Sequence, residues 1–214
     1  MPAAQSVTPA YRGVMSASAP VVRWWGRLEV SGLAQLPSSG PVLVAANHDS
    51  WWDPIAIGTA GLPRRQIQAL AKSSLWKNPL IGKILDGMGQ IPIDRDKGDI
   101  GALERAITEL RAGACIGIFP EGTRSRGHEL RARSGLGRIA EAVPEAKLVC
   151  CSVEGTVDVV RFPRRPRIRV RFFPPAGGGL ADGESAAELP ARLLAEIRRS
   201  APIVACGRKG GPAG

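Results

Sequence analysis

PVLVAANHDSWWD, residues 41–53, changes character at its middle. The first half is an unbroken apolar run ending at Ala46. The second is a polar cluster crowded with hydrogen-bonding side chains. A short apolar run bounded by turn-forming residues suits a buried strand feeding a loop. Pro54 comes next, and proline is tolerated at the first position of a helix, with Asp53 as a good cap before it. Strand, polar loop and helix in succession form the repeating unit of an α/β domain.

The same alternation extends outward. Residues 66–71 and 89–93 read as strands, with Leu75, Leu80, Ile84 and Leu85 at a loosely helical spacing between them. The clearest helix spans residues 99–112, where Ile100, Leu103, Ile107 and Leu110 recur at helical intervals between Asp99 as start and Gly113 as stop. Strands at 115–120 and 148–153 flank a helix near 135–143. Residues 167–172 alternate Arg, Ile, Arg, Val, Arg, Phe, which lays three arginines on one face of a strand. Residues 184–199 predict the last helix. No internal repeat interrupts the pattern, and the fold expected is α/β: one domain with a largely parallel or mixed central sheet flanked by helices. Residues 1–20, rich in Ala, Ser and Pro, read as a flexible arm without the apolar core of a signal peptide. Residues 21–206 form the domain, and residues 207–214 read as a disordered tail.

Composition narrows the function. At 214 residues, 44% hydrophobic and 22% charged, the chain buries about 70% of its unfolded surface, which excludes a disordered, collagenous or disulfide-scaffolded protein. Its apolar runs fall far short of the ~20 residues a membrane-spanning helix needs. Cys115, Cys150, Cys151 and Cys206 lack metal-ligand spacing and suit reduced thiols filling core space. The net charge is +10, and residues 108–214, with 18 basic against 11 acidic side chains, carry +7 of it. Such an excess favours anionic partners: a membrane surface, an acidic protein, a phosphorylated substrate or nucleic acid.

Three segments carry candidate chemistry. Asn47-His48-Asp49-Ser50-Trp51-Trp52-Asp53 places one of only two histidines at the end of a strand, where α/β folds put their sites. A loop there can fold Asp53 back onto the imidazole and make His48 a general base. On spacing alone, a loop histidine beside a capping aspartate is the favoured description. Phe119-Pro120-Glu121-Gly122-Thr123-Arg124-Ser125 follows another apolar strand. Gly122 permits close backbone approach, and Arg124 offers a fork of donors matched to phosphate; as an isolated motif it is equally a surface turn. Gln90-Ile91-Pro92-Ile93-Asp94-Arg95 ends a third strand with Arg95 beside Asp94, which by itself reads as a surface ion pair worth little.

Taken together, NHxSxxD, GxIPIDR and FPEGTRS, in that order over residues 30–175, resemble the glycerophospholipid acyltransferases, specifically the 1-acylglycerol-3-phosphate acyltransferases. The resemblance implies that His48 deprotonates an acceptor hydroxyl for attack on an acyl thioester, with Asp53 orienting it. It further implies that Arg95, Glu121, Gly122 and Arg124 bind the phosphate-bearing acceptor, with Thr123 and Ser125 supporting that turn; because a carboxylate beside a phosphate repels it, Glu121 is expected to position Arg124 or bind a glycerol hydroxyl. The expected reaction moves a fatty acyl group from acyl-CoA or acyl-carrier protein to lysophosphatidic acid, giving phosphatidic acid, without a cofactor or metal. Residues 148–156, LVCCSVEGT, depart from the family's fourth motif, because Cys150 stands where a proline is usual.

Trp24 and Trp25 beside Arg23 and Arg27 suit docking among headgroups, or else core packing. Trp51 and Trp52 either touch the acyl chain or pack inside. Arg161, Arg164, Arg165, Arg167, Arg169 and Arg171 form the densest basic run, which at about 1 kcal/mol per basic residue near an anionic leaflet suits a membrane surface. No recognition-helix, zinc or RNA-binding signature accompanies it, so nucleic acid is not expected as a partner. The reading is a cytoplasmic enzyme, peripheral on the inner face of the cell membrane. The alternatives are the same chemistry on another lysolipid, glycerol 3-phosphate or a glycolipid, a thioesterase-like hydrolase, and a non-catalytic basic binding protein.

Overall fold

The computed structural model describes residues 6–94, 99–161, 163, 165–181 and 183–204. Arg95, Arg164, Cys206 and the expected tail at 207–214 lie outside them. Among the described residues, seven strands form one sheet: β1 (Glu29–Ser31), β2 (Val42–Ala46), β3 (Gln68–Lys72), β4 (Ile91–Ile93), β5 (Cys115–Ile118), β6 (Lys147–Glu154) and β7 (Arg169–Phe173). Their order is β1-β7-β6-β2-β5-β3-β4. Every neighbouring pair is parallel except β6 with β7, so the sheet is mixed and largely parallel, as expected. Helices α1 (Pro9–Ala19), α2 (Asp53–Gly61), α3 (Pro79–Gly87), α4 (Ile100–Arg111), α5 (Gly135–Ala142) and α6 (Leu189–Ser200) pack around it.

β2 lies between β5 and β6, and all five of its residues are buried. Strands covered on both faces read as continuous apolar runs because neither face meets water. Val42, Val44 and Ala46 join one core cluster with Ile57 and Val149, while Leu43 and Ala45 join the other with Leu110 and Ile139. The alternation in β7 is equally legible: Val170 and Phe172 are buried, while Arg169 and Arg171 are exposed.

Two expectations need correction. Residues 9–19 are not a flexible arm but the helix α1, with Pro9 in its first turn and the Thr8 hydroxyl accepting the Tyr11 N–H at 3.2 Å. Tyr11 and Met15, four residues apart and so on one helical face, are buried against Met88. The Tyr11 hydroxyl also accepts the Ile67 N–H at 3.3 Å. The second concerns α4. Its caps fall where expected, with Asp99 accepting the Ala102 N–H, but Ile100 is 63% exposed and the buried ridge is Ala102, Ala106 and Leu110. Small side chains let a helix lie close to a sheet, so alanines hold the inner face, with Leu103 and Ile107 partly buried beside them.

α6 begins at Leu189 rather than at residue 184 because Pro190 occupies its first turn. Cys115, Cys150 and Cys151 are free and buried. Burial pushes the Cys115 and Cys150 thiols up to about 12, which suits inert core filling.

Candidate active site

β5, β2 and β6 are adjacent and parallel, so the loops following them leave from one edge of the sheet. This topology brings together the Asn47 loop, the Phe119 loop and the Gly155-Thr156 turn. Asn47 anchors the first. Its Nδ2 donates to the Val153 carbonyl at 2.8 Å and its Oδ1 accepts the Val153 N–H at 2.8 Å, extending the β2–β6 ladder by a side chain where the backbone pairing ends.

Asp53 is fully buried. It does not cap α2 through its side chain, which turns back into the preceding loop. Oδ2 accepts the N–H groups of Asp49 at 2.6 Å and Ser50 at 2.7 Å, and lies 3.0 Å from His48 Nδ1. Oδ1 accepts the Thr156 hydroxyl. A carboxylate facing Nδ1 holds the proton there and leaves the Nε2 lone pair available. The imidazole is stacked on Phe119, with centroids 4.2 Å apart and planes at 17°.

The main chain of His48 joins the two motif loops. Its N–H donates to Glu121 Oε2 at 2.7 Å, and its carbonyl accepts the Ser125 N–H at 2.8 Å. The Ser125 hydroxyl donates to Asp49, so Ser125 braces the turn. Gly122 adopts a left-handed φ of 69°, where a side chain would be strained and would meet Arg133. Glu121 is only 3% exposed, and what it holds is the His48 main chain and Arg198. Burial, outweighing the Arg198 guanidinium, keeps its carboxyl above the usual range. For Asp49, burial acts upward too, but hydrogen bonds from Arg198, Ser125 and Asn47 hold the carboxyl below its ordinary value.

A cleft of about 360 Å³ is lined by His48, Trp51, Thr123, Arg124 and Arg126 together with apolar side chains such as Val44, Ile57 and Leu85. The Arg124 guanidinium lies 4.2 Å above the ring of Trp51, which is 60% exposed, a cation–π arrangement. Trp52 packs against the core instead. A second cavity of about 460 Å³, with Asp94, Asp99, Gly122 and Arg133 among its walls, shares Phe119 with the first. His48 lines the first cleft and not this second cavity.

Of the residues singled out in the sequence, His48, Asp53, Glu121, Gly122, Thr123, Arg124 and Ser125 converge here, and Arg95 lies outside the described residues. Sequence reading missed Asn47, Asp49, Thr156 and Arg198 as supports. Gly155-Thr156 was visible as the close of the fourth motif, and nothing local marked Arg198.

Residues 27–159 match the family model for Acyltransferase, and the chain belongs to that family. It is 32% identical over 130 residues to a 1-acyl-sn-glycerol-3-phosphate acyltransferase of Bacillus subtilis, a match covering 61% of this chain and 64% of that protein. It is likewise 32% identical over 123 residues to a lyso-ornithine lipid O-acyltransferase of Pseudomonas aeruginosa, covering 54% of this chain and 46% of the relative. Neither match reaches two thirds of the relative's length. The fold is similar to the crystal structure of the 1-acyl-sn-glycerophosphate acyltransferase of Thermotoga maritima, with a TM-score of 0.66 at 20% identity over 89% of this chain and 78% of that one.

Proposed function

We propose that the protein transfers a fatty acyl group from an acyl thioester, on CoA or a carrier protein, to the free hydroxyl of 1-acylglycerol-3-phosphate, giving phosphatidic acid. The observation that carries this reading is the buried His48–Asp53 pair opening onto a cleft that is apolar along its walls and basic at Arg124 and Arg126. His48 Nε2 takes the proton of the acceptor hydroxyl as its oxygen attacks the thioester carbonyl. The tetrahedral intermediate then collapses, the C–S bond breaks, and the imidazolium returns the proton to the departing sulfur. Apolar walls suit the acyl chain, and fixed guanidinium charge suits the phosphate. Arg95, next in sequence to Asp94, is assigned to that phosphate as well.

The names of the relatives support two acceptors, one bearing phosphate and one not. Supplying purified protein and acyl-CoA with lysophosphatidic acid, lyso-ornithine lipid or glycerol 3-phosphate, and identifying products by mass spectrometry, separates them. Phosphatidic acid as the main product is the expected result; preference for lyso-ornithine lipid would overturn the acceptor assignment. Arg124→Ala is expected to raise the KM for lysophosphatidic acid about tenfold or more, with a smaller effect on acceptor-independent thioester hydrolysis. Equal damage to both would contradict a role in phosphate binding.

No helix among the described residues is long and apolar enough to cross a membrane. We assign the lipid-facing surface to Trp24, 81% exposed, and the arginine loop beside it. Arg165 donates to the carbonyls of Trp24 and Trp25, and Arg27 donates to those of Arg165 and Pro166, so tryptophan and basic groups share one surface. Val160 is exposed in the same loop. Co-sedimentation with phosphatidylglycerol vesicles is expected to weaken severalfold in Trp24→Ala and to fall as NaCl rises to about 0.5 M. Binding indifferent to both would refute the assignment.

A further inference from the structure

Arg198 stands on α6, outside the stretch that matches the family model, yet its side chain reaches both motif loops. Nη1 and Nη2 donate to the two oxygens of Asp49, each at 2.9 Å, as a bidentate fork. Nε, at 3.2 Å, and Nη2 both donate to Glu121 Oε1. Nη1 also donates to the Ala201 carbonyl at 3.3 Å. A guanidinium has five N–H donors, and these bonds engage all of them, so none is left over for a substrate. Glu121 Oε2 in turn holds the His48 N–H, and Asp49 receives Ser125 and Asn47. One cation thus connects the loop that bears the base to the loop that bears Arg124.

We propose that Arg198 is a positioning residue for acyl transfer: it locks the two motif loops in register and offsets negative charge on the two carboxyl groups that border His48. The inference rests on His48 acting as the base. It assigns to Glu121 the holding of the His48 main chain rather than contact with a glycerol hydroxyl. The charged and titratable groups around His48 are Asp53 behind the ring, Asp49, Glu121 and Arg198 at its backbone, and Tyr11, Lys72, Arg124 and Arg126 along the cleft. Removing the Arg198 charge makes the surroundings of the His48 imidazole more negative by one charge, so a role for that charge shows in the pH profile.

The test compares wild type, Arg198→Met and Arg198→Lys in the pH dependence of kcat/KM, with KM for lysophosphatidic acid and thermal midpoint measured in parallel. Arg198→Met is expected to lose about tenfold or more in kcat, to change acceptor KM by less than about threefold, and to move the acid limb up by roughly one pH unit. Arg198→Lys restores the charge without the fork; it is expected to return the acid limb to the wild-type position while kcat stays several-fold low. A Met variant with wild-type kcat, or one that loses activity and melts earlier with an unmoved acid limb, overturns the proposal. Should the Met variant not fold, a Lys variant with a displaced acid limb overturns it equally. His48→Ala run alongside separates the two failures, because activity surviving there removes the base itself and leaves nothing for Arg198 to position.

Discussion

His48→Ala is expected to lose acyl transfer by about 10³-fold or more while remaining folded. The rate loss follows from removing a general base, a contribution of roughly 10²–10⁴-fold in enzymes, at the one imidazole that lines the cleft among the described residues. The retained fold follows from which atoms of His48 do structural work: its N–H to Glu121 and its carbonyl to Ser125 belong to the main chain and survive the substitution. What is lost structurally is the stacking on Phe119, worth about 1 kcal/mol, and the Nδ1 contact to Asp53, worth about 1.5–3 kcal/mol; the Asp53 carboxylate keeps the Asp49 and Ser50 N–H groups and the Thr156 hydroxyl. Acyl-transfer assays beside a thermal melt check both halves. A variant retaining more than about a tenth of wild-type turnover would show that another group removes the proton.

Asp53→Ala is expected to lose both activity and stability, and this combination distinguishes it from the histidine variant. Its carboxylate receives the Asp49 and Ser50 N–H groups, the Thr156 hydroxyl and His48 Nδ1, all at a fully buried position. Each buried donor left without a partner costs about 1–3 kcal/mol. Even with water entering the gap, a loss of about 3 kcal/mol is expected, a fall of roughly 6–12 °C in Tm for a chain of this size. Turnover should fall about 10³-fold or more because the imidazole loses the group that fixes its tautomer. Asp53→Asn supplies the control. It fills the space and keeps an acceptor, so its Tm should fall less, while turnover stays low because the charge that stabilises the imidazolium is gone. An Asn variant as active as wild type would reduce Asp53 to scaffolding.

How much of this was legible depended on whether the determining interactions were local. β2 announces itself because a short apolar run bounded by turn-forming residues suits a strand with both faces covered, and β7 because its arginines alternate with buried side chains. The convergence of His48 and Asp53 with Glu121 and Arg124 came from motif resemblance; the physical cause, three parallel neighbours ending at one edge, appears only in the sheet order. α1 escaped because two anchors, Tyr11 and Met15, hold an otherwise Ala- and Ser-rich segment, too few to make a stripe. The inner face of α4 was misjudged because alanines, rather than Ile100, lie against the sheet. Arg198 was invisible for a different reason. In sequence it is one of two adjacent arginines at the end of an amphipathic helix, and its partners lie 77 and 149 residues away.

The most direct measurement is free-thiol release from oleoyl-CoA with and without lysophosphatidic acid, in wild type and His48→Ala, with phosphatidic acid quantified in the same samples. Acceptor-dependent release matched one for one by phosphatidic acid, and absent from the mutant, is the expected result. Release that proceeds without acceptor, or persists in His48→Ala, would contradict base-assisted transfer at this site.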